Sequence, residues 1–352
     1  MAAVTVQSTP VNDIEWADLV TLGLSKFDQP GGKEALARQL FDAIQNIGFF
    51  YIVNFGLSQE EVDRHFAIGK SVFELPTQEK LESRADLENG GCNRDKPLGL
   101  REVRPGIFDN TEIFNIPKFI PAYERPQPKA INKHRQEIER FARHIHSEIV
   151  QKLLVLFAIL LELPEDHFAK HHRYGEALSG CHLRYMNYHA RDAATNEKLD
   201  NVWVKGHTYF GSLTLLFRQP AAALQVRGKD GSWEWVKPHD GSIAVNIADA
   251  LEFLSNGLLK SSIHRVVVPP PDQAGVDRLG VSYYVRPEDD LELGSVQSRV
   301  LENLGYGSGA NSEVAGITAG EWVKAGVDKS KEARGEISEQ GIVRGVKARY
   351  YD

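Results

Sequence analysis

Residues 206–217 read GHTYFGSLTLLF and join a histidine to a run of residues that favour β-structure. Some metal sites contain a histidine at the start of a strand and a second ligand two residues later, because histidine is a common ligand of divalent metals. Here His207 is followed two residues later by Tyr209, where a carboxylate would be expected. The stretch therefore predicts a strand that begins at a metal site, and it raises the question of what the tyrosine does.

The sequence around this stretch predicts a mainly β domain. After residue 180, short runs rich in β-branched and aromatic residues alternate with turn sequences such as GKDGS and PHDGS. The runs are HLRYMNY, SLTLLF, ALQV, WEWV, SIAVNI, RVVV and GVSYYV. Many short strands at near-regular spacing predict a β-sandwich or a barrel.

The N-terminal third predicts helices around one strand. Apolar residues recur at helical spacing through 33–47, and the strand-like run FFYIVNF follows at 49–55. Ser58 with Glu61 has the spacing of a capping box, which predicts that a helix begins at this point. Residues 84–130 are rich in Gly, Pro and Asn and predict a long loop or short strands.

A long helix is predicted over residues 133–163. Its apolar positions recur at helical spacing and should form one buried face. They are Ile138, Phe141, Ile145, Ile149, Leu153 and Leu156. The tail from about residue 300 predicts helix followed by mixed structure.

Composition and charge exclude several classes of protein. The chain has 352 residues, of which 42% are hydrophobic and 25% charged, as in a globular protein with a large core. Its formal net charge is −7 at pH 7, and no basic stripe suits a phosphate backbone, so we expect no nucleic-acid partner. The apolar run at 153–163 is too short to span a bilayer, so we expect no membrane segment.

Cysteine usage and the N-terminus indicate the compartment. Cys92 and Cys181 are the only cysteines, and the first residues lack the pattern of a secretion signal. We therefore expect a cytoplasmic protein, a monomer or a homodimer, that acts on a small molecule.

A second histidine extends the predicted metal site. His264 stands in SSIHRVVV, immediately before another predicted strand. Two imidazoles on neighbouring strands bind a divalent metal from one side and leave the opposite positions open for other ligands. The chain has twelve histidines, so on spacing alone a structural role for either one stays open.

Several segments together resemble a known enzyme family. GFFYIVNFG, LRYMNYH, KGHTYFGSLTLLF, ALEFLSNGLLKSSIHRVVV and DRLGVSYYVRP occur in the order found in iron(II)- and 2-oxoglutarate-dependent oxygenases of the isopenicillin N synthase-like group. The resemblance covers about residues 10–330 and is greatest to fungal and plant members that act on small molecules. It implies a mainly β fold with helical support, namely a double-stranded β-helix or jelly roll with an N-terminal α/β region.

The resemblance also implies how the chain is organised. An N-terminal helical and α/β region would occupy residues 1–130. The jelly-roll core with its bracing helix would occupy 131–300, and a helical tail 301–352. The three parts would form one catalytic unit.

By the same resemblance, His207, the residue at position 209 and His264 would bind iron(II), with O2 as the oxidant. Arg278 would pair with the distal carboxylate of 2-oxoglutarate, and Tyr188 would hydrogen-bond to the same cosubstrate. A guanidinium binds a carboxylate through two parallel hydrogen bonds, and a phenol adds a third contact. The structural alternative for the arginine is an ion pair with Asp277 or Glu288.

The chain departs from the family pattern at three positions. Gly280 stands where a serine hydroxyl often assists the cosubstrate carboxylate, and Met186 stands where many relatives have asparagine. The third departure is Tyr209, because the family's ligand at this position is an aspartate or glutamate. That carboxylate supplies the negative charge that holds iron(II) against two neutral imidazoles.

Bond lengths argue against direct coordination by Tyr209. The phenol oxygen lies roughly 3 Å further from its own Cα than an aspartate oxygen does, so on the same backbone it would overshoot the metal. We therefore place Tyr209 in the catalytic centre but predict that it is not an iron ligand. Asp249 and Glu252 are alternative carboxylates, but we assign them structural roles in the turn before His264.

Three explanations of Tyr209 remain open. In the first, the chain holds iron in an atypical centre with two histidine ligands. In the second, the protein binds small molecules without oxidising them. In the third, it is an oxygenase in which an introduced or recent substitution inactivates or redirects the reaction. The parent activity implied by the resemblance is hydroxylation, desaturation or cyclisation of a small organic molecule, as in secondary metabolism. The alternative class is a non-oxidising binding protein or a non-redox enzyme on the same fold.

Four residues are candidates for substrate contact. Arg101, Arg104 and Phe108 lie in the predicted long loop, and Lys205 lies on the strand that leads to His207. Cationic side chains would anchor an acidic substrate. Each of the four also has a structural alternative, as a solvated charge or a packed aromatic ring.

Overall fold

Two β-sheets form the centre of the computed structural model, which describes residues 14–82, 96–307, 316–332, 341–343, 346–347 and 350–351. The strands are β1 Thr21–Gly23, β2 Phe49–Val53, β3 Glu102–Arg104, β4 Ile107–Phe108, β5 Thr111–Pro117, β6 His182–Tyr188, β7 Val202–His207, β8 Leu213–Phe217, β9 Leu224–Arg227, β10 Trp233–Trp235, β11 Ser242–Ile247, β12 His264–Val267, β13 Arg278–Val285, β14 Gly341–Val343, β15 Val346–Lys347 and β16 Tyr350–Tyr351. The larger sheet has the order β1-β2-β11-β8-β13-β6-β5, and the smaller sheet has the order β10-β9-β12-β7-β16. Cys92 and the predicted loop segment 84–95 lie outside the described residues.

Alternation along β13 separates the two faces of the larger sheet. Val281, Tyr283 and Val285 are buried in the main hydrophobic core together with the helices. Because successive side chains of a strand point to opposite faces, the even-numbered residues from Arg278 to Tyr284 lie on the other face. We call that face, which is turned to the smaller sheet, the inner face.

The two sheets meet through a second set of buried side chains. Tyr188 on β6 stacks on Trp203 of β7, with ring centroids 5.9 Å apart and an angle of 14° between the rings. Met186 and Val266 belong to the same buried cluster. The two sheets face each other, and helices pack on the opposite face of the larger sheet. This arrangement agrees with the predicted mainly β jelly roll with helical support.

Helices pack on the outer face of the larger sheet and share its hydrophobic core. The helices of the described chain are α1 Gly32–Asn46, α2 Gln59–Phe73, α3 Thr77–Glu82, α4 Lys129–Lys133, α5 Arg135–His144, α6 Gln151–Leu160, α7 Ala193–Lys198, α8 Asp249–Leu254, α9 Arg299–Asn303 and α10 Ala319–Glu332. The predicted capping box is confirmed, since the Ser58 backbone N–H donates to Glu61 and the Glu61 N–H donates to the Ser58 hydroxyl. Within the described segments, no helix combines the length and the apolar composition that crossing a bilayer requires.

The predicted long helix is present as α5 and α6, joined by a π-helical turn at Ile145–Val150. The turn keeps the chain helical between the two segments while it changes the register of the side chains. All six apolar residues predicted for the buried face are 4% exposed or less. The segment therefore braces the larger sheet, as the sequence indicated.

Both chain ends add strands to the sheets. The N-terminal region contributes β1, β2 and β5 to the larger sheet, so backbone hydrogen bonds join it to the jelly roll. Near the C-terminus, Tyr350 pairs with His207 on the edge of the smaller sheet. The division into 1–130, 131–300 and 301–352 remains our proposal, within one unit.

Candidate functional site

His207 and His264 face each other across two neighbouring strands. His207 ends β7, His264 begins β12, and the two residues are direct partners in the antiparallel pairing. Their ring centroids are 4.5 Å apart. The sheet therefore brings together the two histidines that the sequence predicted as metal ligands.

Hydrogen bonds fix which nitrogen of each ring is available. The Nδ1 of His207 lies 2.9 Å from the carbonyl oxygen of Lys205, and the Nδ1 of His264 lies 3.0 Å from that of Ser262. A carbonyl only accepts, so Nδ1 carries the proton and Nε2 keeps its lone pair. Burial lowers the pKa of His207, and burial followed by the neighbouring His207 lowers the pKa of His264 to about 3. Both rings are thus neutral and keep an Nε2 lone pair that can bind a metal, while backbone carbonyls hold Nδ1.

Tyr209 is directed to Arg286. Its phenol oxygen accepts a hydrogen bond from Nε of Arg286 at 2.8 Å, and its ring lies edge-on to Tyr284 at 5.0 Å. Burial raises the pKa of the phenol to about 12, so the group is protonated at neutral pH. This geometry supports the proposal that Tyr209 lines the site without binding the metal.

No carboxylate takes the place of the third ligand in the described part of the chain. No group of three or more His, Cys, Asp and Glu side chains there is arranged to hold a metal ion. Asp249 accepts from the Ser261 hydroxyl at 2.7 Å, and Glu252 accepts from the Ser261 backbone N–H at 2.8 Å. These buried carboxylates fix the segment before His264, in keeping with a structural role. The donors present fit a metal bound by two imidazoles and do not fit a centre with three protein ligands.

Arg278 and Tyr188 are neighbours on the inner face. They are direct partners between β13 and β6, and the guanidinium carbon lies 5.3 Å from the centroid of the tyrosine ring. Arg278 is 2% exposed, and its Nε has no hydrogen-bond partner among the described residues. Burial lowers its pKa to about 10, which leaves it charged at neutral pH.

The alternative ion pairs for Arg278 are absent from the described residues. Asp277 accepts from the Ala190 N–H at 2.8 Å and lies beside His189, while Glu288 pairs with Arg173 at 2.7 Å. A buried guanidinium without a carboxylate partner is costly unless a ligand supplies one. The pair Arg278 and Tyr188 therefore fits the carboxylate of 2-oxoglutarate.

A further cationic cluster on the inner face was not predicted. The guanidinium of Arg184 lies 4.2 Å from the Tyr284 ring centroid, and Tyr284 stacks on His182 at 4.9 Å. Arg184 donates to Asn115 at 2.7 Å and lies 3.2 Å from Nε2 of His182. Burial, followed by the charges of Arg184 and Arg286, lowers the pKa of His182 well below its usual value. His182 is therefore neutral, and the positive charge of the cluster is that of Arg184, next to the tyrosine that packs on Tyr209.

Arg101, Arg104 and Phe108 lie on or next to the β3–β4 hairpin, whereas Lys205 lies on β7. Arg104 forms an ion pair with Asp200, and Phe108 is 52% exposed. The Arg101 backbone N–H donates to Asp109 at 2.6 Å, and Lys205 is exposed beside the pair of histidines. Their assignment to substrate contact remains a proposal.

Two models of protein families match this chain. The model of the non-haem dioxygenase N-terminal region, described from morphine synthesis, matches residues 18–137. The model of the 2OG-Fe(II) oxygenase superfamily matches residues 179–295, which contain both histidines and Arg278.

Individual relatives extend over most of the chain. A UPF0676 protein of Schizosaccharomyces pombe is 30% identical over 82% of this chain and 86% of its own length. A 2-oxoglutarate-dependent dioxygenase of Glarea lozoyensis is 27% identical over 83% of this chain and 86% of its own. The structure is also similar to that of a full-length Neurospora crassa protein in complex with alpha-KG and 5-formyluracil, with a TM-score of 0.74, 21% identity and coverage of 89% and 96% of the two chains. The chain belongs to the 2OG-Fe(II) oxygenase superfamily, the dioxygenases that use Fe(II), 2-oxoglutarate and O2.

Proposed function

We propose that this protein oxidises a small organic acid in a reaction that consumes O2 and 2-oxoglutarate, with iron held by two protein ligands, His207 and His264. The observation that carries the proposal is the pair of neutral imidazoles with both Nε2 atoms available. The second support is Arg278, a buried guanidinium without a protein carboxylate.

Each residue of the site has a distinct task. Iron(II) with 2-oxoglutarate and O2 supplies the oxidising power, while 2-oxoglutarate is converted to succinate and carbon dioxide. His207 and His264 orient the metal, and Arg278 with Tyr188 binds the distal carboxylate of the cosubstrate. Tyr209 stays protonated against Arg286 and closes one side of the site.

The charge of the inner face supports an anionic substrate. The guanidinium of Arg184 contacts Asn115 and His182 and forms no ion pair with a carboxylate of the described residues. Its direct neighbour on β13, Ser282, is 1% exposed and its hydroxyl is without a partner in that part of the chain. A guanidinium beside a hydroxyl is a suitable partner for a carboxylate. We propose that the substrate's carboxylate binds here and that the product is a hydroxylated, desaturated or cyclised acid of the secondary-metabolite type.

Two other assignments of Tyr209 compete with this one. In the first, the protein binds the acid through the cationic cluster around Arg184 but holds no iron and oxidises nothing. An inactivated oxygenase binds the cosubstrate but does not release succinate. The intact pair of histidines and the ordered Tyr209 to Arg286 contact favour a working centre over general decay of the site.

A screen with matched ligands tests the proposal. Small carboxylic acids and their methyl esters are incubated with the protein, Fe(II), ascorbate and 2-oxoglutarate, and succinate is quantified. We expect some acids, and not their esters, to raise succinate above the level without substrate, and His207→Ala to abolish the rise. If no acid releases succinate above a control without protein but acids still bind, the protein is a binder and the proposed oxidation is wrong.

A further inference from the structure

The space above Gly280 is occupied by another side chain. Gly280 lies two residues after Arg278 on the inner face of β13. A Cβ atom built at position 280 would lie 2.2 Å from Nε2 of Gln219. No residue with a Cβ, serine included, fits at position 280 while Gln219 keeps its place. The amide of Gln219 thus stands where the family's serine would begin.

Gln219 is buried without partners. It is 4% exposed, and neither Nε2 nor Oε1 has a hydrogen-bond partner among the described residues. Buried amides are almost always hydrogen-bonded, because an unpaired one loses its bonds to water. Gln219 lines the same cavity as Arg278, whose Nε is also without a partner in the described part of the chain. The unpaired N–H donors in this cavity, Nε2 of Gln219 and Nε of Arg278, indicate a site for a ligand that offers hydrogen-bond acceptors.

The local sequence holds Gln219 in this position. β8 ends at Phe217, and Gln219 follows in a connection that continues through three alanines, all at most 4% exposed. The backbone N–H of Ala222 donates to Oε1 of Gln273 at 2.9 Å, which fixes the connection from the other side. Because the small side chains let the segment pack closely, the amide is placed before any ligand binds.

We propose that the amide of Gln219 binds the distal carboxylate of 2-oxoglutarate beside Arg278 and replaces the serine that Gly280 lacks. The inference rests on the proposed function, since it takes 2-oxoglutarate as the ligand of Arg278. A carboxylate offers about four acceptor positions. The guanidinium fork fills two of them, which leaves positions for the amide and for the phenol of Tyr188. Gln219 would therefore contact the cosubstrate directly, as Arg278 does.

Binding of 2-oxoglutarate to the full-length protein tests this role. Affinity is measured by calorimetry under anaerobic conditions with Fe(II), for the parent protein and for Gln219→Ala, Gly280→Ser and the double variant. Loss of one hydrogen bond to a charged group corresponds to about a 10- to 100-fold weaker affinity, which we expect for Gln219→Ala. Gly280→Ser alone is also expected to bind more weakly, because its Cβ displaces the amide of Gln219. The double variant, with the serine restored and the amide removed, is expected to recover to within about threefold of the parent.

Matched ligands and controls make the outcome specific. 2-Oxobutyrate has the 2-oxo acid group but no distal carboxylate, so Gln219→Ala should leave its affinity unchanged. Circular dichroism and thermal unfolding show whether each variant is folded, and Gln219→Asn supplies a conservative replacement if the alanine variant is not. Parent-like affinity of Gln219→Ala, or a double variant no better than Gln219→Ala, overturns the role of Gln219. If the parent protein itself does not bind 2-oxoglutarate, or if Arg278→Ala binds it equally well, the proposed function fails first.

Discussion

The phenol oxygen of Tyr209 accepts a hydrogen bond from Nε of Arg286 at 2.8 Å, although the two residues are 77 positions apart in the chain. Tyr209 follows β7 by two residues and Arg286 directly follows β13, so the contact joins the two sheets at the site. The ring also packs on Tyr284. The side chain at the usual carboxylate position is therefore held by the larger sheet, and its effect on the metal can be tested by substitution.

Tyr209→Asp should restore a third ligand. An aspartate oxygen lies roughly 3 Å closer to its Cα than the phenol oxygen does, so it cannot take the phenol's place against Arg286 but suits a metal bound by the two histidines. We expect Fe(II) affinity to rise by at least about 10-fold, the lower end of what supporting groups contribute to metal sites. Succinate release should rise with it. Anaerobic titration with Fe(II) and a succinate assay measure both.

Tyr209→Phe is the control for this change. It keeps the ring, removes the bond to Arg286 and adds no ligand, so Fe(II) affinity should match that of the parent. The prediction is wrong if Tyr209→Asp abolishes metal binding and activity. It is equally wrong if the iron(III) form of the parent shows the visible absorption of a phenolate bound to iron.

Arg278→Ala should weaken 2-oxoglutarate binding. The substitution removes a charge-assisted pair to a buried carboxylate, which costs about 2–4 kcal/mol of binding free energy. Arg143→Ala serves as the control, because that arginine pairs with Glu139 on the exposed side of α5. Calorimetry with 2-oxoglutarate should show the loss for Arg278→Ala alone. Equal affinities of the two variants would refute the role of Arg278.

Local patterns predicted the elements of the fold well. The capping box at Ser58 and Glu61 and the buried face of the helix at 133–163 follow from interactions within a few residues of one another. The short strands after residue 180 followed from β-rich runs between turn sequences. The π-helical turn at Ile145–Val150 was not predicted, because the apolar spacing is compatible with a regular helix as well.

Contacts between strands could not be predicted from the sequence in the same way. The bond from Arg286 to Tyr209 and the approach of Gln219 to Gly280 depend on strand register and on how the two sheets face each other. One signal was available, since alternation along β6 puts Arg184 on the same face as Tyr188. The alternation of side chains along β6 would therefore have predicted that Arg184 adds a positive charge near Tyr188.

Arg184→Gln should weaken binding of the acidic substrate and leave the cosubstrate unaffected. The substitution keeps hydrogen-bonding groups but removes the charge next to Ser282, so KM for an acid found in the screen should rise about 10- to 100-fold. The methyl ester of the same acid should be affected little, and Arg184→Lys should retain part of the discrimination. The affinity for 2-oxoglutarate is the internal control. A KM that rises equally for acid and ester would show that Arg184 only supports the fold.

His65 should make the free energy of unfolding depend on pH. The residue is 2% exposed, stacks on Phe141 with centroids 3.6 Å apart, and its Nδ1 lies 3.0 Å from the hydroxyl of Tyr185. Burial lowers its pKa to about 4 from an ordinary value of 6.5. The unfolded chain therefore binds the proton at a higher pH than the folded protein does. Stability should be complete above pH 6.5 and should fall as the pH drops towards 4, by about 3 kcal/mol at most for this residue.

His65→Phe isolates this contribution. The ring still stacks on Phe141 but cannot titrate, and the Tyr185 hydroxyl loses its partner, so the variant should be less stable than the parent at pH 7 by about 1–3 kcal/mol. Because only the parent must keep His65 neutral at low pH, the gap between the two proteins should narrow at pH 4.5. Burial also lowers the pKa of His172 to about 4. His172 makes the free energy of unfolding depend on pH equally in both proteins, so its contribution cancels in the difference between them. Urea unfolding at pH 7, 5.5 and 4.5 measures the gap, and a gap that stays constant over this range would show that His65 does not titrate as its burial requires.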